Sequence, residues 1–190
     1  MKKCILGITF LIILVGTLPA AVANTNVNIG IHAGSKFVTD TLYKEIYSYA
    51  NPSFGVSMGI NLFWRFQLVG EYNFFSDKGA MTISKEEITF TNQSWNVGLR
   101  SWLFLFKRNR VYLGFGVVGY SYAEDLPDRF KDFNYKKNGF YIEIGDYYPL
   151  IKNRVYFDLN AKYEKVDVQP LDDKISLGGP KITFGVRFYF

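Results

Sequence analysis

One cysteine and one histidine are all that 190 residues offer to thiol and imidazole chemistry. A histidine-rich metal centre is thereby excluded, and any serine-type nucleophile would have His32 as its only imidazole base. Proline and methionine are sparse as well, at six and three, against 17 glycines, 14 tyrosines and 18 phenylalanines. This balance favours strands over helices. At 48% hydrophobic and 21% charged residues the chain is too apolar to be largely disordered, and its length suits one domain or two small ones.

A continuous apolar run occurs at the N-terminus. Lys2 and Lys3 precede the stretch from Ile5 to Val15, which only Gly7 and Thr9 interrupt, and Pro19 stands before Ala21-Val22-Ala23. Residues 1–23 read as a cleaved secretory signal peptide and 24–190 as the mature domain. Cys4 lies before the apolar run, so it is no lipoprotein acylation site and leaves with the peptide. An exported chain without cysteine folds without disulfides, whereas a small toxin-like scaffold would need them. The other reading of this segment is an uncleaved anchor, since about 20 residues can just cross a bilayer.

Beyond that segment, apolar residues recur with period two. Phe54, Val56, Met58, Ile60, Leu62 and Trp64 alternate with Gly55, Ser57, Gly59 and Asn61. The same split sets Val111, Leu113, Phe115 and Val117 against Tyr112, Gly114, Gly116 and Tyr120, and Phe140, Ile142 and Ile144 against Tyr141, Glu143 and Gly145. Similar stretches begin near Val27, Phe66, Trp95, Val155 and Ile182, so eight strands are expected. Long charged connections near 39–52, 77–87, 124–137 and 168–179 alternate strictly with short ones near 64–65, 107–110 and 149–153. An even number of strands, with short turns at one end and long loops at the other, predicts an all-β, eight-stranded antiparallel up-and-down transmembrane β-barrel.

Which face points inward separates a membrane barrel from a soluble, lipocalin-like one. One face is rich in leucine, isoleucine, valine and phenylalanine. The other alternates glycine with tyrosine and charge, a poor lining for a ligand cavity but a good filling for a narrow polar interior. Trp64, Phe66, Trp95, Tyr163 and Phe188 fall near strand ends, as an interfacial aromatic belt requires. The polar face is therefore assigned to the lumen.

On this pattern the mature chain resembles the small outer-membrane barrels, such as OmpX, OmpW and the transmembrane domain of OmpA. The most specific element is the ending ITFGVRFYF, whose alternation closes on Phe190 and is similar to the signal that the outer-membrane assembly machinery reads in those families. The resemblance implies a bacterial outer-membrane location, contact with membrane lipid and lipopolysaccharide, and a part in envelope integrity, adhesion or limited permeation.

Inward charges at Glu71, Arg100, Glu143, Asp158, Lys162, Glu164 and Arg187 are the candidate lumen network. Eight strands leave room only for side chains, so a closed, mutually neutralising set is expected over a conducting path, with a narrow or gated channel as the alternative. Surface recognition, including any host ligand, is expected at the long loops, with Tyr43, Tyr47 and Tyr49 in the first as candidate contacts. That loop is open to a short helix, an extended hairpin or a partner site. Loop three mixes Asp125, Asp128, Arg129, Lys131, Asp132, Lys136 and Lys137 and reads as a solvated surface.

Sharper chemistry finds little support. Residues 114–119, GFGVVG, match a dinucleotide fingerprint in form, but Tyr120-Ser121-Tyr122 continues a strand where a helix is needed. The lipid A palmitoyltransferase barrel suggests His32 with Ser76 and Asp77, yet His32 falls mid-strand and Ser76 at a strand's outer end. A hydrogen-bonded lumen histidine, no enzyme activity, no cofactor and no metal are expected. Basic residues in the short turns, including Arg65, Lys107, Arg108, Arg110, Lys152 and Arg154, suit lipid headgroups, not nucleic acid. A monomer is expected.

Overall fold

Alternating side chains become eight strands whose backbone groups are paired on both edges. The structure, a computed structural model, describes residues 27–63, 65–80, 87–103, 109–125, 133–151, 154–168 and 175–190. Residues 1–23, where a signal peptide is expected, Trp64, Lys107, Arg108 and Lys152, and Asp128, Arg129, Lys131 and Asp132 of loop three lie outside these residues.

In chain order the elements are β1 (Val27–Phe37), α1 (Thr41–Ile46), β2 (Ala50–Phe63), β3 (Phe66–Ala80), β4 (Glu87–Leu103), β5 (Arg110–Asp125), β6 (Phe133–Ile151), β7 (Val155–Lys165), β8 (Asp167–Val168), β9 (Ile175–Ser176) and β10 (Gly179–Tyr189). Strands β1 to β7 and β10 close into an antiparallel barrel in which each pairs with its sequence neighbours and β10 pairs with β1. Closure removes the sheet edge, which is the condition for a strand structure to sit in lipid. The β8–β9 ladder is a small accessory hairpin at the loop end.

The sheet is staggered. Pairing carries Lys36 in turn to Lys181, Lys162, Glu143, Gly114, Arg100, Gln67 and Asn61, one strand at a time. Asn61 lies one residue past Ile60, the partner of Val27, so the walk begins near the loop end of β1 and finishes at its opposite end. A stagger of about ten residues tilts all the strands. Every position on this walk except Gly114 is polar, so it traces the lumen lining.

The two faces separate as the alternation predicts. Ile31, Phe115 and Ile142 on the exterior are 59%, 67% and 59% exposed, whereas Arg100, Glu143, Lys162 and Arg187 inside are at most 4% exposed. This inversion of a soluble protein's arrangement is that of a transmembrane barrel. Phe66 and Phe188 lie at the short-turn end of the exterior, and Trp95 and Tyr163 toward the loop end.

Two loop expectations are corrected. Strands β3 to β6 run past the expected limits, with Ala80 paired to Glu87 and Glu124 to Phe133. Lys136 and Lys137 thus lie on β6 and not in a loop. Above the membrane a hairpin needs backbone pairing but no apolar alternation, so the hydrophobic pattern stops before the strands do.

Candidate functional site

The lumen is organised around Arg100 on β4. Its Nε donates to Glu143 Oε1 at 2.7 Å and its Nη2 to Glu143 Oε2 at 3.0 Å, while Nη2 also reaches Glu71 Oε1 at 2.6 Å. Nη1 donates to the Tyr147 hydroxyl at 2.6 Å, and the guanidinium lies 4.5 Å from the centre of the Tyr112 ring. Lys162 on β7 completes the cluster, 2.5 Å from Glu71 Oε2 and 3.5 Å from Glu143 Oε2, with the Tyr141 ring 4.3 Å away. Asn160 Nδ2 donates to the Glu143 carboxylate and the Tyr112 hydroxyl, each at 2.8 Å. Two cations thus face two carboxylates, and additional donors fill the remaining lone pairs, as a buried ion-pair cluster requires.

A second tier lies toward the short turns. Arg187 on β10 binds Asp158 at 2.9 Å, Asn28 Oδ1 at 2.6 Å and Ser57 Oγ at 3.0 Å. Trp102, Tyr112, Tyr147 and Tyr156 pack beneath it with Tyr189 against them. The third tier lies toward the loops, where Lys36 donates to Glu164 at 2.5 Å and to the Tyr120 hydroxyl at 2.7 Å. Lys181 has no carboxylate within salt-bridge distance among the described residues and donates instead to Asn73 Oδ1 at 2.5 Å. His32 Nε2 lies 2.7 Å from that same oxygen.

All seven predicted lumen residues are therefore inward and engaged in charged or hydrogen-bonded contacts: Glu71, Arg100, Glu143 and Lys162 in one cluster, Arg187 with Asp158, and Glu164 with Lys36. Lys36 and Lys181 were missed. Both keep the inward parity of Asn28 to His32 and of Thr183 to Arg187, so extending each alternation outward would have found them. Tyr147 follows likewise from Glu143 and Gly145.

Glycine makes room for these large groups. A Cβ on Gly98 would stand 2.3 Å from both the Tyr141 hydroxyl and the Phe115 carbonyl oxygen, so β4 and β5 meet with Tyr141 laid across the contact.

Over the third tier sits an apolar cap. Helix α1 turns into the mouth, packing the Tyr43 and Tyr47 rings 4.9 Å apart in a tilted pair and setting them 5.5 and 5.4 Å from Phe90 on β4. Phe75, Ile88, Tyr122, Val166 and Leu177 belong to the same cluster. Asp40 anchors the helix, accepting from the Tyr43 amide at 3.4 Å and from the Ser176 amide of β9 at 2.9 Å. Asp77 accepts from the Ser48 amide at 2.8 Å. The surface role expected of the three loop tyrosines is thus corrected for two of them: Tyr43 and Tyr47 are buried because the mouth offers apolar and hydrogen-bonding partners that solvent does not. Tyr49 remains 51% exposed, with Lys44 Nζ 4.8 Å from its ring. At the other end the Phe190 amide donates to the Val27 carbonyl at 2.9 Å, leaving the Phe190 ring exposed.

Neither a protein-family model nor a curated protein matches this sequence. Solved structures do match, by shape. Neisserial surface protein A aligns with a TM-score of 0.63 and 15% identity over 87% of this chain and 96% of its own. The attachment invasion locus protein Ail of Yersinia pestis, in complex with the heparin analogue sucrose octasulfate, aligns with a TM-score of 0.54 and 13% identity over 87% of this chain and 97% of its own. The fold is that of the small bacterial outer-membrane β-barrels. A second structure of Ail gives 0.52 and 15% identity over 87% and 97% of the two chains. At such identity it is the architecture that is shared.

Proposed function

We propose that this protein is a non-enzymatic, monomeric barrel of the bacterial outer membrane, exported by its N-terminal signal and assembled there through its C-terminal strand, which holds its extracellular hairpins on a closed lumen. The observation that carries this reading is the filled interior: three tiers of ion pairs and hydrogen bonds span the lumen, and the α1 cap lies over them. Such a barrel displays surface and fixes it in the envelope; adhesion or protection would fall to what the hairpins present, including Tyr49, Lys44, Lys136 and Lys137.

An enzymatic reading draws no support from the geometry around His32. Its Nε2 is engaged by Asn73, Ser76 takes the outward parity of β3, and Asp77 is tied into the cap by Ser48. The competing function is a narrow channel, and it is separable by experiment. Reconstituted into planar bilayers, the protein is expected to give no steady unitary conductance steps. Reproducible steps of one size would show that ions pass the Arg100 tier and would replace the scaffold reading with the channel one.

A further inference from the structure

The lumen does not balance its charge tier by tier. Among the described residues it buries the cations Lys36, Arg100, Lys162, Lys181 and Arg187. Arg100 and Lys162 face Glu71 and Glu143, Arg187 faces Asp158, and Lys36 faces Glu164. Lys181, 3% exposed, is left without a carboxylate of its own. Of the charged groups that act on it, Glu164 and Glu71 are held by other cations, and Lys36 and Lys162 repel it. Asp77, the remaining buried carboxylate among the described residues, is engaged at the cap, where the Ser48 and Lys78 amides each donate to it at 2.8 Å.

The amide beside Lys181 is oriented by it. An ammonium only donates, so Asn73 turns its oxygen toward Lys181 Nζ at 2.5 Å, and His32 Nε2, 2.7 Å from the same oxygen, donates to it as well. Gly55 permits this meeting: a Cβ there would stand 2.5 Å from His32 Nε2 and 2.6 Å from Asn73 Oδ1. With the oxygen fixed by two donors, Asn73 Nδ2 is buried and has no hydrogen-bond partner among the described residues. Asn92, inward on β4 two residues before Ser94, the register partner of Asn73, has both ends of its amide unpartnered too. An uncompensated ammonium beside an orphaned amide donor calls for negative charge. Water would satisfy the amide, but it would not neutralise the ammonium.

We infer that Lys181 holds one small monovalent anion of the halide class inside the barrel, with Lys181 Nζ and Asn73 Nδ2 as its donors. The size follows from the architecture: eight strands enclose room for side chains and little else, so a single-atom ion suits the lumen better than a polyatomic one. The charge follows from the pairing, because one such ion leaves the third tier neutral, with Lys36 and Lys181 against Glu164 and the anion. The site lies beneath the α1 cap and goes beyond the scaffold reading: the anion is a structural member of the lumen network.

The test is urea unfolding of the whole barrel in lipid vesicles, with chloride raised from about 10 to about 300 mM and gluconate holding the ionic strength constant. A ligand bound only by the folded state lowers the unfolding constant in proportion to its concentration above its Kd, so a fall of about five- to thirtyfold is expected. Lys181→Met removes the ammonium and should abolish the dependence. Asn73→Asp places a carboxylate where the Asn73 oxygen now meets Lys181 and should abolish it too, since the anion is replaced by one built into the chain. Lys165→Gln, exposed on β7, should keep the full dependence. Crystals of the unaltered protein grown in bromide give a readout that no variant has to survive: an anomalous peak is expected beside Lys181 Nζ and Asn73 Nδ2. Equal unfolding in chloride and gluconate, an unchanged dependence in Lys181→Met or Asn73→Asp, or a bromide map without that peak would each overturn the site. None of these outcomes bears on conductance, so the site and the scaffold reading fail separately.

Discussion

Replacement of Arg100 by methionine is expected to cost the folded barrel about 3–5 kcal/mol, the loss typical of a buried ion pair deprived of one partner. Arg100 is 1% exposed and binds Glu71 and Glu143 together. Without it, two carboxylates face a single ammonium, that of Lys162, in a space sealed by the cap above and the tyrosine cluster below. Adding Glu143→Gln to Arg100→Met should recover much of the loss: the Glu71–Lys162 pair is left neutral, and the new amide oxygen still accepts from Asn160. Urea unfolding in lipid vesicles, followed by the heat-dependent mobility of the folded band, measures both. If Arg100→Met costs less than about 1 kcal/mol, the value of a solvated pair, then water fills the lumen and the closed-interior account fails.

Phe115→Arg probes the opposite face. Phe115 is 67% exposed on β5, flanked in register by Leu99 and Ile142, and pairing sets it well away from both aromatic ends of the barrel. In lipid an arginine near the bilayer midplane of such a barrel costs about 2–4 kcal/mol, and near the interface about 0–1. Ser76→Arg, outward on β3 at the loop end, is the matched control and should shift the unfolding midpoint little. In a water-soluble barrel the order would be reversed, because replacing an exposed phenylalanine by a charge is neutral or favourable there. A destabilisation that depends on depth is thus the signature of acyl-chain contact.

Much of this architecture is legible in the sequence because a membrane barrel imposes two conditions on each residue. Parity decides whether Phe115 meets lipid and Gly114 the lumen, and closure requires the strands to come in an even, consecutively paired set. The seven inward charges followed from parity alone. What parity could not supply is the third dimension. The stagger that brings Arg100 of β4 to Glu143 of β6 is fixed by eight registers at once, and no local pattern encodes it. Lys36 and Lys181 were lost because the alternation was followed only as far as apolar residues continued. The cap escaped for a different reason: Tyr43 and Tyr47 lie in a polar loop segment, and their burial depends on Phe75, Phe90 and Asp77, far away in the chain.

The central claim is that the apolar exterior lies in the outer membrane and the polar network inside a closed barrel. Fractionation of the producing bacterium, with the membrane pellet washed in urea and run on a gel with and without heating, tests it most directly. The account predicts that the protein stays in the washed outer-membrane fraction and that its unheated form migrates apart from the heated one. Recovery from the soluble periplasm, with a single mobility before and after heating, would contradict it.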